Sequence, residues 1–433
     1  MWVSARYAVV TSEGQSHLFA DEFIAATGGA VTSEDYPPFL RDRLSQMCTG
    51  TLLFSRWWLS VGDSKTGLHT RLELVNSPFF TCRAKEVSEG EYVVVVPLGL
   101  VCRLYVLAHL LLGYWNSDKF YVPVRQSEKW QVPPGLQPLF GKARNEGDGP
   151  WWAELEDLFA RVEISHYDAV RLTEVALMYV IGHEAAHAYR RHGKALEALR
   201  LRGLVRDETE EAVFRRFAET DADLMGTHWA LDAQWIGLRG SGQLDEAGVA
   251  YLRMSYAVTM VHALYDVHRK EIGAYQTGAY CHPVVRRHFF TEASHQMAHA
   301  YPLQSTGWVE AELEGWGKCL WALHGLNKDV LVGRFGKAPE GYTHLPVSAL
   351  QYNMSEGLKW TNDFGRETVL YRAVRRIYRD TVDFSIGETP PAVDFHPAGR
   401  DVWRRAMASD DPVIRTAMSM LGRHFEASTK DLA

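Results

Sequence analysis

The pentapeptide His183-Glu184-Ala185-Ala186-His187 places two imidazoles and a carboxylate at a spacing that suits metal chemistry. Residues four apart lie on one face of an α-helix, so His183 and His187 could bind one tetrahedral Zn²⁺. Glu184 lies about 100° further round the helix and could take a proton from a zinc-activated water as general base. The pentapeptide therefore predicts a hydrolytic zinc site. The alternative is an exposed helix that carries two ordinary histidines and a carboxylate.

The pentapeptide lies within a stretch of helical periodicity, residues 167–190. Apolar side chains recur there at the spacing of one helix face, at Leu172, Val175, Ala176, Tyr179 and Val180. Gly182 and the alanines around the motif leave room for another element to pack closely. We therefore expect a helix with a second element pressed against its metal-binding face.

A second helical stretch, residues 207–226, could supply the third ligand. Glu219 and Asp223 lie four apart on one face, and Gly226 continues that face without bulk. A helix bearing them could press against the first, with Glu219 as third zinc ligand and Asp223 bonded to the far nitrogen of a ligand histidine. Asp221 should point about 200° away from Asp223 and take no part. The alternative is a solvated acidic face.

Together the two stretches resemble the gluzincin pattern of the CaaX-prenyl-protease and HtpX-type peptidases. The residues from His183 to His192 match H-E-x-x-H-x-x-x-x-H, and those from Glu219 onward match E-x-x-A-D followed by a small residue. The resemblance implies that His183, His187 and Glu219 bind zinc, that Glu184 is the base and that Asp223 holds a ligand histidine. The membrane-spanning helices of many relatives are missing, so a soluble relative or a Lit-like phage-exclusion peptidase is the nearer comparison.

A later segment, Cys281-His282-Pro283, is similar to the His-Pro element of the same family. The family normally carries an arginine six residues beyond that histidine, where this chain has His288, preceded by Arg286-Arg287. Gluzincins commonly use a downstream tyrosine or histidine to stabilise the oxyanion of the tetrahedral intermediate. Tyr280 and His282 are therefore the candidates for that catalytic role.

The remaining histidines do not suggest another zinc site. A metzincin would need glycine at 190 and histidine at 193, where the chain has Arg190 and Gly193. His192 would lie about 180° from the first motif histidine on a continuous helix, so we expect it at a helix end or behind a ligand. His295 and His299 repeat the four-residue spacing without a glutamate and are expected to be structural or at the surface.

Composition favours a globular protein, and the predicted zinc site implies that its partner is a protein or peptide substrate. The 433 residues are 46% hydrophobic and 12% aromatic, which is enough for a sizeable core. A net charge of −7 without a sustained basic run argues against nucleic acid. The motif-free C-terminal third is expected to recognise substrate or to bind a regulatory partner protein.

The five cysteines are odd in number and form no C-x-x-C pair, so neither a disulfide framework nor a thiolate zinc site is indicated. No signal peptide is evident at the start, and a cytoplasmic location is expected. The most apolar stretch, residues 92–115, is interrupted by Arg103 and His109. It predicts a buried strand at 92–96 followed by a core helix at 100–112, with no membrane span.

Upstream, residues 69–75 and 78–83 predict a hairpin with a turn at Asn76-Ser77. The strand at Tyr92 would join it. In zincins a small sheet lies above the motif helix, and its edge strand pairs with extended substrate.

The predicted fold is α+β and mostly helical, with a zincin-like catalytic core, a small mixed β-sheet and an additional helical C-terminal region. Residues 1–115 form an N-terminal α/β part that contributes strands, and 116–150 form a Pro/Gly-rich loop or linker, which is a plain connector or, alternatively, a lid. Residues 151–325 form the catalytic core, and 326–433 a helical region without assigned chemistry. The predicted function is zinc-dependent endopeptidase with one Zn²⁺ per chain. The alternatives are a trigger-activated phage-defence or toxin-like protease with one host target, and an inactive scaffold that keeps its metal as a staple.

Overall fold

A computed structural model describes residues 13–114, 150–160, 166–201, 205–241 and 247–266, together with Leu139, Arg286, Phe290 and positions 311–312, 314–316 and 318–319. The helices in this part are α1 (Glu13–Ala26), α2 (Arg41–Thr66), α3 (Leu98–Tyr114), α4 (Ala153–Phe159), α5 (His166–Tyr189), α6 (His192–Leu201), α7 (Glu208–Ser241) and α8 (Ala247–Asp266). The strands are β1 (His69–Val75), β2 (Arg83–Ser88) and β3 (Glu91–Pro97). The prediction of a mostly helical α+β fold with a small mixed sheet is confirmed. The predicted helical region at 326–433 lies outside the described residues, as does nearly all of the loop at 116–150.

Strand β3 is the centre of the three-stranded sheet. It pairs in parallel with β1, His69 opposite Glu91, and antiparallel with β2, Arg83 opposite Val95. The four valines of β3 are buried because helices cover both faces of the central strand. α1 packs on one face of the sheet, and the main core lies on the other. Because β3 is the central strand, β2 is an edge strand.

The predicted hairpin is wrong, although its first strand is correct. β2 begins at Arg83 rather than at position 78, and β3 separates it from β1. The segment between β1 and β2 is instead held by α3, because Arg103 donates a 2.6 Å hydrogen bond to the Pro78 carbonyl and the Gly99 N–H a 2.8 Å bond to the Ser77 carbonyl. A Cβ on Gly99 would lie 2.3 Å from the Pro78 oxygen, so only glycine permits this approach.

The strand and core helix predicted in the apolar stretch are confirmed as β3 and α3. Arg103 and His109 are buried in α3, and Arg103 offsets part of its burial cost with hydrogen bonds to two carbonyls. No helix in the described part of the chain is long and apolar enough to cross a membrane.

Helix α5, which carries the pentapeptide, lies at the centre of the helical layer. It contacts α2, α3, α7 and α8, and also β2 and β3. The prediction of a helix over residues 167–190 is confirmed. Near its C-terminal end, the Tyr189 hydroxyl donates to the Leu59 carbonyl of α2 over 2.9 Å, which fixes this end of α5 against the core.

Candidate metal centre

Three ligand-type side chains converge where α5 meets α7. His183 and His187 lie one turn apart on α5, and their Nε2 atoms are 3.4 Å apart. Glu219 of α7 places its Oε2 3.3 Å from His183 Nε2 and its Oε1 3.9 Å from His187 Nε2. Within the described residues, these three side chains form the group able to share one ion, each offering an atom within 4.8 Å of the other two.

Two glycines allow the helices to approach closely enough for this convergence. A Cβ on Gly182 of α5 would lie 2.7 Å from the Trp229 Cβ of α7. A Cβ on Gly226 would lie 2.6 Å from the Tyr179 carbonyl oxygen and 3.0 Å from the His183 nitrogen. Real Cβ atoms are not found at such distances, so the close contact depends on both glycines. The two helices therefore press together as the small residues predicted.

The donor set fits Zn²⁺. In a tetrahedral site with bonds of about 2.1 Å, neighbouring ligand atoms lie about 3.4 Å apart, close to the 3.3, 3.4 and 3.9 Å observed. Two imidazole nitrogens and one carboxylate oxygen leave a fourth position for water or substrate, which is the composition of a catalytic rather than a structural zinc site.

Asp223, one turn after Glu219, holds the His183 ring from behind. Its Oδ1 lies 2.9 Å from His183 Nδ1 and accepts a 2.7 Å hydrogen bond from the Tyr179 hydroxyl. Arg286 pairs with both carboxylate oxygens at 2.7 Å each. The burial of Asp223 would raise its pKa, but Arg286 and His183 hold that pKa well below its usual range. Asp223 is thus a buried, ionised acceptor with a defined set of donors.

Tyr179 and Arg286 were not predicted as site residues. Tyr179 precedes His183 by one turn on the same face, and it was interpreted only as part of the apolar pattern. Arg286 lies four residues beyond His282, whereas the family pattern places its arginine six residues beyond the histidine. Its contact with Asp223 joins a third segment of the chain to the two helices.

Glu184 lies against the sheet. Its Oε2 accepts a 2.9 Å hydrogen bond from the Ala84 N–H of β2. Burial raises the pKa of Glu184 to about 7, although the neighbouring His183 ring and the Ala84 N–H both oppose the shift. A carboxyl group whose pKa is close to neutrality is suited to accept and return a proton.

The two ligand histidines differ in charge in the metal-free protein. Burial alone lowers the pKa of His183, but hydrogen bonds with Asp223 and Glu219 outweigh it and raise that pKa to about 10. Burial lowers the pKa of His187 to about 3. The metal-free cluster therefore carries one imidazolium, His183, between two carboxylates.

His192 and Asp221 form a second chain of contacts behind His187. The Nδ1 atoms of His187 and His192 are 2.8 Å apart, and His192 Nε2 lies 3.2 Å from Asp221 Oδ2. The prediction that His192 lies at a helix end is confirmed, since α6 begins there. Asp221 is expected to point away from the ligand face and to take no part in metal binding. It does point away from Asp223, but α6 occupies that side and brings His192 to it.

The other candidate residues cannot be placed. Tyr280 and His282, proposed for the oxyanion, lie outside the described residues, as do His295 and His299. No protein-family model matches the chain, and neither a comparison with curated proteins nor one with solved structures found a match. The function must therefore be inferred from the geometry of the site.

Proposed function

We propose that the protein is a zinc-dependent endopeptidase whose metal is held by His183, His187 and Glu219. The observation that carries the proposal is the convergence of these three donors beside a further acidic side chain, Glu184, that belongs to none of the ligand contacts and lies against a strand edge. Zn²⁺ bound by this set would polarise a peptide carbonyl and lower the pKa of a water towards about 7. The resemblance to gluzincins supports the same assignment and a zincin-like core.

Glu184 would act as the general base and then as the general acid. With a pKa raised to about 7, its carboxylate can take a proton at Oε1 and return it to the leaving amine. The Ala84 N–H keeps Oε2 oriented towards the sheet, so the proton is accepted at a fixed position. A purely structural metal site would have no use for this group, and its presence argues against the inactive scaffold.

The edge of strand β2 could bind an extended substrate. β2 is an edge strand, and the Ala84 N–H that bonds Glu184 points away from β3. In a strand the N–H and C=O of one residue point to the same side, so the Ala84 carbonyl also faces the open edge. An extended peptide could add to this edge beside Glu184. The substrate would therefore be an unfolded or flexible segment of a protein.

The test of this function is cleavage of a proteome-derived peptide library by the zinc-loaded protein, with products identified by mass spectrometry. The Glu184→Gln variant leaves the three ligands in place, so it should retain zinc while cleavage falls by about 10²–10⁴-fold. Glu197→Gln, an exposed substitution on α6, is the matched control and should cleave normally. Undiminished cleavage by Glu184→Gln would contradict the proposal.

A further inference from the structure

The chain has an unusual backbone conformation at the junction of α5 and α6, one residue before His192. Arg191 has a φ of 49°, the left-handed region, and is the non-glycine residue with positive φ in the described part of the chain. Such a conformation costs roughly 1–3 kcal/mol. The Arg191 N–H bonds the Ala188 carbonyl at 2.9 Å, and the Arg191 carbonyl accepts the first hydrogen bond of α6, from the Ala195 N–H. This turn carries His192 back towards α5.

Both nitrogens of the His192 ring are engaged. Nδ1 lies 2.8 Å from His187 Nδ1, and Nε2 lies 3.2 Å from Asp221 Oδ2. The His192 side chain is 5% exposed and that of Asp221 14% exposed, so solvent competes little for these contacts. The ring thus lies between a ligand histidine and a carboxylate of α7.

The hydrogen bonds allow one consistent placement of protons when His187 binds an ion through Nε2. The His187 proton must then be on Nδ1, where it is donated to His192 Nδ1. His192 must in turn carry its proton on Nε2, where it is donated to Asp221. Each contact then has one donor and one acceptor, and the chain ends on a charged acceptor. This assignment follows from the hydrogen-bond network.

We propose that His192 and Asp221 are positioning residues that orient His187 for metal binding through this relay. The inference rests on the proposed metal centre and adds two residues to it. His183 is held by Asp223 directly, whereas His187 is held by Asp221 through an imidazole.

The positions of the two aspartates on α7 explain why Asp221 would reach His187 only through His192. Asp221 and Asp223 are two residues apart on α7, so their side chains diverge by about 200° and cannot both reach the ligand face. The His192 ring spans the gap between Asp221 and His187. One helix can therefore support both ligand histidines with two carboxylates, provided that α6 returns to insert its first residue.

Removing either member of the relay should weaken metal binding while leaving the three ligands intact. Without a partner at Nδ1, the His187 ring can rotate and its Nε2 is a poorer donor, which typically costs 10–100-fold in affinity. We expect this loss in both His192→Ala and Asp221→Ala, measured as zinc affinity by competition with a chelator. Because the two substitutions interrupt one chain, the double variant should lose little more than either single variant.

Rescue by a conservative variant separates positioning from general damage. Asparagine at 192 can place its Oδ1 near the position of the imidazole Nδ1, so His192→Asn should recover most of the affinity lost in His192→Ala. In His192→Gln the side-chain amide reaches the position of Nε2 instead, so this variant should not recover the affinity. The absorption spectrum of the Co²⁺-substituted protein, which reports ligand geometry, should change in His192→Ala and return towards that of the wild type in His192→Asn.

Tyr189→Phe is the matched structural control. It removes the buried hydrogen bonds of Tyr189 to the Leu59 carbonyl and Asp63 near the same end of α5, without touching a ring nitrogen of His187. It should lower the Tm but leave zinc affinity and the Co²⁺ spectrum unchanged.

The outcomes distinguish the relay from the metal centre. If the wild-type protein binds no zinc, the metal centre itself is wrong. If the wild type binds zinc and His192→Ala and Asp221→Ala bind it equally well, the relay is overturned and the metal centre stands. A loss of affinity in Tyr189→Phe equal to that in His192→Ala also overturns the relay, because the effect would then follow stability alone.

Discussion

Three acidic side chains around one cluster have their pKa values moved in opposite directions. Burial raises the pKa of Glu184 to about 7. Burial would also raise those of Glu219 and Asp223, but their histidine and arginine partners lower them. Environments that separate the pKa values of neighbouring acids commonly separate their roles. Under the proposed function, this split would assign proton transfer to Glu184 and permanent negative charge to Glu219 and Asp223.

The raised pKa of Glu184 predicts that the free energy of unfolding of the metal-free protein falls as the pH rises. When the pKa of a carboxyl group is higher in the folded than in the unfolded state, its contribution to stability is fully present below the pKa of the unfolded state, near 4.3. That contribution is lost as the pH rises through the folded value of about 7. Glu184→Gln cannot ionise, so its stability relative to the wild type should grow between pH 5 and pH 8, by an amount on the order of a few kcal/mol.

Urea unfolding of the metal-free proteins at several pH values measures this difference. Glu197→Gln, an exposed substitution on α6, is the control, and its effect on stability should stay flat from pH 5 to pH 8. A pH-independent difference for Glu184→Gln would mean that burial does not perturb this group.

Among the elements, the contact between α5 and α7 decides whether the ligands meet. Gly226→Ala would place a Cβ 2.6 Å from the Tyr179 carbonyl oxygen, a backbone atom that cannot move without displacing α5. Separating the helices should cost about 1–3 kcal/mol in unfolding free energy and weaken zinc binding. Gly50→Ala in α2 is the control, because its Cβ meets nothing within 4 Å and alanine should stabilise a helix by about 0.5–1 kcal/mol.

Thermal unfolding and zinc affinity measured on both variants test this contact. Normal stability and affinity in Gly226→Ala would show that the two helices are not packed as closely as described.

The sequence predicted these helices well and their connection poorly. Periodicity and the motif spacing place Glu219 and Asp223 on the face that meets His183, because both depend on local helical geometry. The end of α5 near residue 190 was predicted, but the turn that starts α6 at His192 was not, since Arg190-Arg191 contains neither glycine nor proline, the usual signals of such a turn. The contact of Asp221 with His192 could not be predicted for the same reason, because it depends on where α6 begins.

The order of the strands in the sheet could not be predicted from the local sequence pattern either. The turn signal at Asn76-Ser77 favours a hairpin, but long-range contacts of that segment with Arg103 and Gly99 hold it against α3. The buried valines of β3 were predicted as a strand, and only the assembled fold shows that this strand is central.

On the scale of the whole molecule, the site joins distant parts of the chain. Ala84 of the sheet contacts Glu184, and Arg286 contacts Asp223. The main core continues from α2 and the sheet through α5 to α8. A metal bound at this junction of α5 and α7 would therefore couple the sheet, both helices and the segment around Arg286.

Zinc content of the purified protein, by elemental analysis after loading and dialysis, tests the central claim most directly. The His183, His187 and Glu219 donors predict close to one zinc per chain. Glu219→Ala should lose most of it, whereas Glu208→Ala, an exposed acid at the start of the same helix, should keep it. A wild-type chain that stays metal-free, or equal zinc content in the two variants, would contradict the metal centre.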